Sequence, residues 1–274
     1  MLRLHDCLPV ETLHQGADTI VRLIKHVPTD DSFVIKMSIP MAHHPRAIGR
    51  LIHEHQLLVK LADVPGVVRA RGFAHEGGQA ALWLEYRSLC SLDRILAKRG
   101  RLPLPTALRV ALDLSRVLEG IHAKGVVHKD VKPQNMLWDE VQERVTLIDF
   151  AIASELSEEA TNAAAPEALE GTLAYMSPEQ TGRTARGLDA RTDIYSLGVV
   201  LFELLAGRRP FVETDPLSLI HAHLAKPVPP LEGLVPGFPP AVARIVERCL
   251  EKHPEKRYQT VNGLSADLAE CLRR

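Results

Sequence analysis

The chain has 274 residues, 46% apolar and 24% charged, a composition that excludes wholesale disorder, a collagen-like rod and a low-complexity scaffold. At roughly 150 residues per domain, this length allows one large domain or two lobes packed on each other. Thirty-three basic against thirty-four acidic side chains give a formal net charge of −1, so no global field draws the molecule onto nucleic acid or an anionic membrane, and partners must be recognised locally.

In chain order, the amino terminus MLRLHDCLPVETLHQ lacks the continuous apolar stretch of a secretory signal. The four cysteines (Cys7, Cys90, Cys249, Cys271) show no CxxC spacing, so a reducing cytoplasm is the expected compartment. FVIKM at 33–37 and AALWLEY at 80–86 are short runs of β-branched or bulky residues and read as strands, whereas Ala47 to Leu61 carries apolar residues at helical spacing. Among the histidines of this region, His43 and His44 are adjacent and His53 and His55 lie two apart, which is not metal-ligand spacing. The rest of the chain is mostly helical. Leu104 to Lys124 puts Leu108, Leu112, Ser115, Leu118 and His122 on one face and stops at Gly125. A hairpin-like segment follows, then VTLID at 145–149 as a strand, then a long irregular stretch. Three helices with readable caps come next: Asp193 to Ala206 ended by Gly207, Pro216 to Ala225 capped by Asp215, and Pro240 to Lys252. The most apolar run, Leu197 to Ala206, carries Glu203 and falls far short of the roughly twenty residues a bilayer span needs. The expected fold is α+β: a small strand-rich lobe over about 1–85 and a larger helical lobe over about 86–274, with a cleft between them.

The chemistry concentrates in HKDVKPQN, His128 to Asn135, and in LIDFA, Leu147 to Ala151. Asp130 precedes Asn135 by five positions and Lys132 follows Asp130 by two, the spacing of the catalytic loop HRDxxxxN. This resembles the eukaryotic-type serine/threonine protein kinase family. Phosphoryl transfer needs a carboxylate to orient the attacking hydroxyl, a cation near the moving phosphate, and oxygen ligands for magnesium. The resemblance implies Asp130 as catalytic base, Lys132 at the γ-phosphate, Asn135 on one magnesium, and Asp149 between metal and phosphates. ATP and Mg2+ are the implied cofactors, and a protein with a serine or threonine acceptor is the implied partner.

Lys36 and Glu54 test the resemblance independently, because the family pairs a strand lysine with a glutamate on its first helix. Alternation puts Lys36 on the face of Val34, opposite Phe33, Ile35 and Met37. In the helix, Ala47, Leu51, Glu54, Leu58 and Leu61 form one stripe, so Glu54 occupies an apolar position and needs a partner. The family's phosphate-covering loop GxGxxGxV is eroded. Val21 matches its valine and Gly16 its second glycine, while His14 and Thr19 stand where the first and third would be. By the same alignment Leu13, Val21 and Val34 line the nucleotide, Leu137 floors the adenine, Leu84 is the gatekeeper, and Glu85 with Tyr86 form the hinge. MSPE closes the activation segment, Glu179 pairs with Arg257, Thr172 contacts the catalytic aspartate and lysine, and Asp193 caps its helix and props the catalytic loop. Finer wording, EGTLAYMSPEQTGR and RYQTVNGLSADL, is similar to hybrid signalling proteins in which a kinase-like domain continues into an AAA-type ATPase, a GAF domain and a histidine kinase. On that likeness the chain is a fragment or a free-standing relative.

Three departures bear on activity. Lys129 replaces the arginine that grips an activation-loop phosphate, losing its bidentate fork. Ala151 replaces a hinge glycine, which costs ~1–2 kcal/mol if the position needs positive φ. The eroded loop presents fewer close backbone amides to phosphate. Lys36, Asp130, Asn135 and Asp149 all remain, which favours an active kinase. A pseudokinase acting as a regulatory or nucleotide-binding module is the alternative, and a small-molecule phosphotransferase is a third reading.

Overall fold

The computed structural model describes residues 6–39, 44–76, 78–156, 173–184, 186–234 and 237–274. The chain forms two compact units. The first takes the chain to Ser88 and also Asp149–Ile152; the second takes Leu89–Ile148 and Ala153–Arg274.

The first unit is an antiparallel sheet of β1 (Cys7–Gln15), β2 (Thr19–His26), β3 (Ser32–Ser38), β4 (Ala70–Glu76) and β5 (Gln79–Glu85) in the order β1-β2-β3-β5-β4, with helix α1 (His44–Lys60) between β3 and β4. The strands alternate as the sequence suggests. On one face Ile24, Ile35, Ala81 and Trp83 make a buried cluster against which Phe33 and Met37 pack. On the other face the register sets Val21 and Leu82 opposite Lys36, and Leu23 and Leu84 opposite Val34. In α1 the predicted stripe is real: Ala47, Leu51, Glu54, Leu58 and Leu61 are all buried.

The second unit is helical, with short sheets. It contains β6 (Cys90–Ser91), α2 (Leu92–Arg99), α3 (Leu104–Ala123), β7 (Val126–Val127), β8 (Met136–Asp139), β9 (Arg144–Leu147), β10 (Ser154–Glu155), α4 (Arg191–Ala206), α5 (Pro216–Ala225), α6 (Pro240–Cys249) and α7 (Val261–Arg273). Helix α4 is apolar all round and is accordingly sheathed on every side, against α3 and α6 among others. Its Gly198 is a contact point: a Cβ there would lie 2.6 Å from Cβ of Cys249, so only glycine lets α6 approach this closely.

Three sequence expectations shift. The predicted strand at 145–149 ends at Leu147 because Asp149 adopts φ 64°, which breaks the extended run. The last predicted helix, Pro240 to Lys252, ends at Cys249, and the helix that follows it, α7, was not expected. Asp193 does not cap α4: the helix starts two residues earlier behind Ala190, and the Asp193 carboxylate serves another segment. Among the described residues, no helix is long and apolar enough to cross a membrane.

Candidate functional site

In the first unit, the strand alternation that hides Ile35 turns Lys36 toward α1, where Glu54 interrupts the apolar stripe. Lys36 Nζ donates to Glu54 Oε2 at 2.9 Å and to Asp149 Oδ1 at 2.8 Å. Burial would lower the lysine pKa, but the two carboxylates outweigh it and push it up, so the ammonium is held charged. The other oxygen of Glu54 accepts the Phe150 amide at 3.2 Å. These bonds explain why Asp149–Ile152 belongs to this unit rather than to its sequence neighbours.

The positive φ of this segment falls on Asp149, so the condition under which Ala151 would be costly is not met. The φ of Asp149 is 64°, whereas Ala151 is not among the residues with positive φ. Aspartate tolerates this region better than most side chains, and its Oδ1 also accepts the Ala151 amide at 3.3 Å. Alanine in place of glycine at 151 therefore imposes no steric cost. Ala151→Gly is expected to lower stability by about 0.4–1 kcal/mol through a looser unfolded chain and to raise turnover less than twofold. A several-fold gain in a phosphotransfer assay would show that the hinge does need glycine.

The candidate phosphate-covering turn is a hairpin closed by Gly16 N donating to Thr19 O at 2.9 Å, with His14 opposite Val21. Gly16 is not at positive φ, and an added Cβ would meet nothing nearer than 3.5 Å. Leu13, Val21 and Val34 are half-buried. Tyr86 is exposed, and Glu85 is fastened: its amide donates to Arg69 O, while its carboxylate accepts from the Arg69 amide and from Arg87. The Glu85 N–H is thus already taken up and cannot read a ligand.

In the second unit, β7 delivers the chain into His128–Asn135. Asp193 holds this loop by its backbone, accepting the amides of His128 at 2.9 Å and Lys129 at 2.8 Å, and pairing with His122 Nε2 at 2.9 Å. Burial alone would raise the Asp193 carboxyl, yet these bonds and the nearby imidazoles keep it below its usual value. The expected prop is therefore present, although the residue is not a helix cap. His122, predicted only as part of a helix face, is its partner.

Asp130 Oδ2 is fixed from two sides, by Lys132 Nζ at 2.7 Å and Asn135 Nδ2 at 2.8 Å, and Asn135 Nδ2 also donates to Asp130 O at 2.9 Å. Asp130 Oδ1 is buried and has no hydrogen-bond partner among the described residues. An acceptor held so firmly and left unsatisfied is where a hydroxyl proton can go. With its amide nitrogen engaged by Asp130, Asn135 has only its amide oxygen left for a ligand. Leu137 is half-buried in β8. Thr172 lies outside the described residues. Glu179 and Arg257 form the expected pair, bidentate at 2.7 and 2.9 Å and fully buried.

Comparison with known proteins agrees with this arrangement. The protein kinase domain family matches residues 9–268. The serine/threonine-protein kinase PknB of Mycobacterium leprae is 36% identical over 188 residues, 68% of this chain and 29% of its own. PksC of Streptomyces coelicolor, also a serine/threonine-protein kinase, is 37% identical over 193 residues, 70% of this chain and 34% of its own. The matched stretch thus spans about a third of each relative. A lysine held between two carboxylates, a loop aspartate with one oxygen braced and one open, and a family match over nearly every residue lead to one conclusion: the chain belongs to the protein kinase domain family.

Proposed function

We propose that residues 1–274 form one kinase domain that transfers the γ-phosphate of ATP to serine or threonine hydroxyls of protein substrates. The observation that carries this reading is Asp130, whose Oδ2 is braced by Lys132 and Asn135 while its buried Oδ1 stays open. The acceptor hydroxyl donates to Oδ1, its oxygen bonds to the γ-phosphorus, the bond from phosphorus to the bridging oxygen breaks, and ADP leaves. The proton passes to Asp130. Lys132 offsets charge on the transferring group, and Lys36, kept charged by Glu54 and Asp149, holds the other phosphates.

Leu13, Val21, Val34 and Leu137 supply apolar surface for the adenine. Gly16 covers the phosphates, and Glu85 and Tyr86 form the hinge, with the Glu85 carbonyl rather than its amide facing the base. Magnesium, when bound, neutralises the triphosphate. The Asn135 amide oxygen and the Asp149 carboxylate are hard oxygen donors suited to it. Ala151 no longer weighs toward a pseudokinase, since its backbone asks nothing of glycine, and the names of the relatives favour a protein acceptor over a small molecule. The wording similar to that of hybrid signalling proteins supports fused regulatory domains in the whole protein, and the four cysteines without CxxC spacing support a cytoplasmic setting.

The test is phosphotransfer by the purified chain with Mg-ATP and a serine-rich protein acceptor, run beside Asp130→Asn. Wild type should incorporate phosphate on serine or threonine, and the variant should lose ~10²–10⁴-fold. Equal and negligible transfer by both would refute the enzyme reading.

A further inference from the structure

The peptide joining Lys129 to Asp130 sits where catalysis is most sensitive to geometry, because turning its plane swings the Asp130 side chain. Its N–H side donates to His128 Nδ1 at 3.2 Å. Its C=O side accepts from Gln180 Nε2 at 2.8 Å. Lys129 stands at φ 65°, a region that a residue with a side chain keeps only when its surroundings over-determine it. Asp193 grips the amides before this peptide, and the Gln180 side chain holds the carbonyl itself.

Gln180 is a rigid anchor for this purpose. Its Oε1 accepts the Ser177 amide at 3.0 Å and Ser177 Oγ at 3.2 Å. The residue before it, Glu179, is locked by Arg257, and the residue after it, Thr181, donates to Pro178 O at 2.6 Å. The bridge needs an acceptor toward Ser177 and a donor toward Lys129 at one side-chain end. A primary amide offers both, and a carboxylate offers only the first.

We infer that Gln180 is a positioning residue: it ties the Lys129 carbonyl to the 173–181 segment and thereby sets the orientation of the Asp130 carboxylate. The inference rests on the kinase reading above, and it gives the 173–181 segment a direct hold on the catalytic loop.

The test compares Gln180→Glu and Gln180→Met with wild type in kcat, KM for ATP, thermal midpoint and amide exchange at Asp130. Both variants should lose ~10- to 100-fold in kcat at pH 8, with KM for ATP and thermal midpoint close to wild type. In Gln180→Glu, the turnover relative to wild type should climb as pH falls from 8 toward 5, because the fraction with a protonated carboxyl regains a donor for Lys129 O. The Gln180→Met ratio should stay flat. Retained kcat, a flat ratio for Gln180→Glu, or a loss matched by loss of folded protein in both variants would overturn the proposal. If wild type itself transfers no phosphate, the kinase reading fails. Faster Asp130 amide exchange in both variants then still upholds the tether, and unchanged exchange removes it.

Discussion

Replacing Lys36 by methionine should lower phosphotransfer by ~10²–10³-fold, the usual effect of deleting one fixed electrostatic group from a reacting site. The same change has a second consequence that must be separated from chemistry. Lys36 is the cation of a three-membered cluster in which the Glu54 side chain is 1% exposed and that of Asp149 is 40% exposed. Water can screen Asp149, but Glu54 would be left buried with the Phe150 amide as its one donor among the described residues. Breaking one half of such a buried pair costs ~3–5 kcal/mol, reduced here because burial already favours the protonated form of Glu54. Lys36→Met with Glu54→Gln should therefore recover most of the stability while turnover stays low. Denaturant unfolding beside a phosphotransfer assay on wild type, both singles and the double would decide it. Full turnover in Lys36→Met would remove Lys36 from the mechanism, and activity restored with stability in the double would reduce the lysine to a structural role.

Arg257→Met should produce the largest loss of stability from a residue that touches no substrate. Arg257 and Glu179 are both buried, and the guanidinium also donates to the carbonyls of Glu251, Arg191 and Lys252 while lying 4.8 Å from the Tyr195 ring centroid. Methionine fills part of the volume but leaves Glu179 with Thr192 Oγ1 and strands three carbonyls. A loss of ~3–5 kcal/mol follows, a large share of the 5–15 kcal/mol typical of a folded domain, and a fall in thermal midpoint of roughly 10 °C. Calorimetry on Arg257→Met and on the double with Glu179→Gln would measure it. A midpoint within 2 °C of wild type would mean that the pair stabilises little. Since Glu179 adjoins Gln180, loss of the ion pair should also slacken the tether to Lys129.

Much of this was legible in the residues because local periodicity is a local property. Alternation in FVIKM placed Lys36 opposite Ile35, and a carboxylate inside the α1 stripe announced a buried partner. The five-residue step from Asp130 to Asn135 marked the loop before any fold was known. Other features had no local signal. Gln180 lies in an unremarkable turn sequence and becomes meaningful only when the turn brings its amide to Lys129. His122 looked like one more residue on a helix face. Asp193 looked like a cap because aspartate before an apolar run usually is one, yet its carboxylate is drawn to three donors from elsewhere in the chain.

By itself, then, the order of residues determined the most strongly patterned elements, though not α2 or α7, together with the faces those elements bury and the family of chemistry, since these follow from spacing along the chain and from the cost of hiding an unpaired charge. Only the tertiary structure decided which groups answer each other: Lys36 with both Glu54 and Asp149, left-handed strain at Asp149 rather than at 151, and the Lys129 carbonyl with Gln180. Hydrogen bonds and ion pairs between distant residues depend on where the backbone carries each donor and acceptor to within about 3 Å, and no periodicity along the sequence encodes that distance.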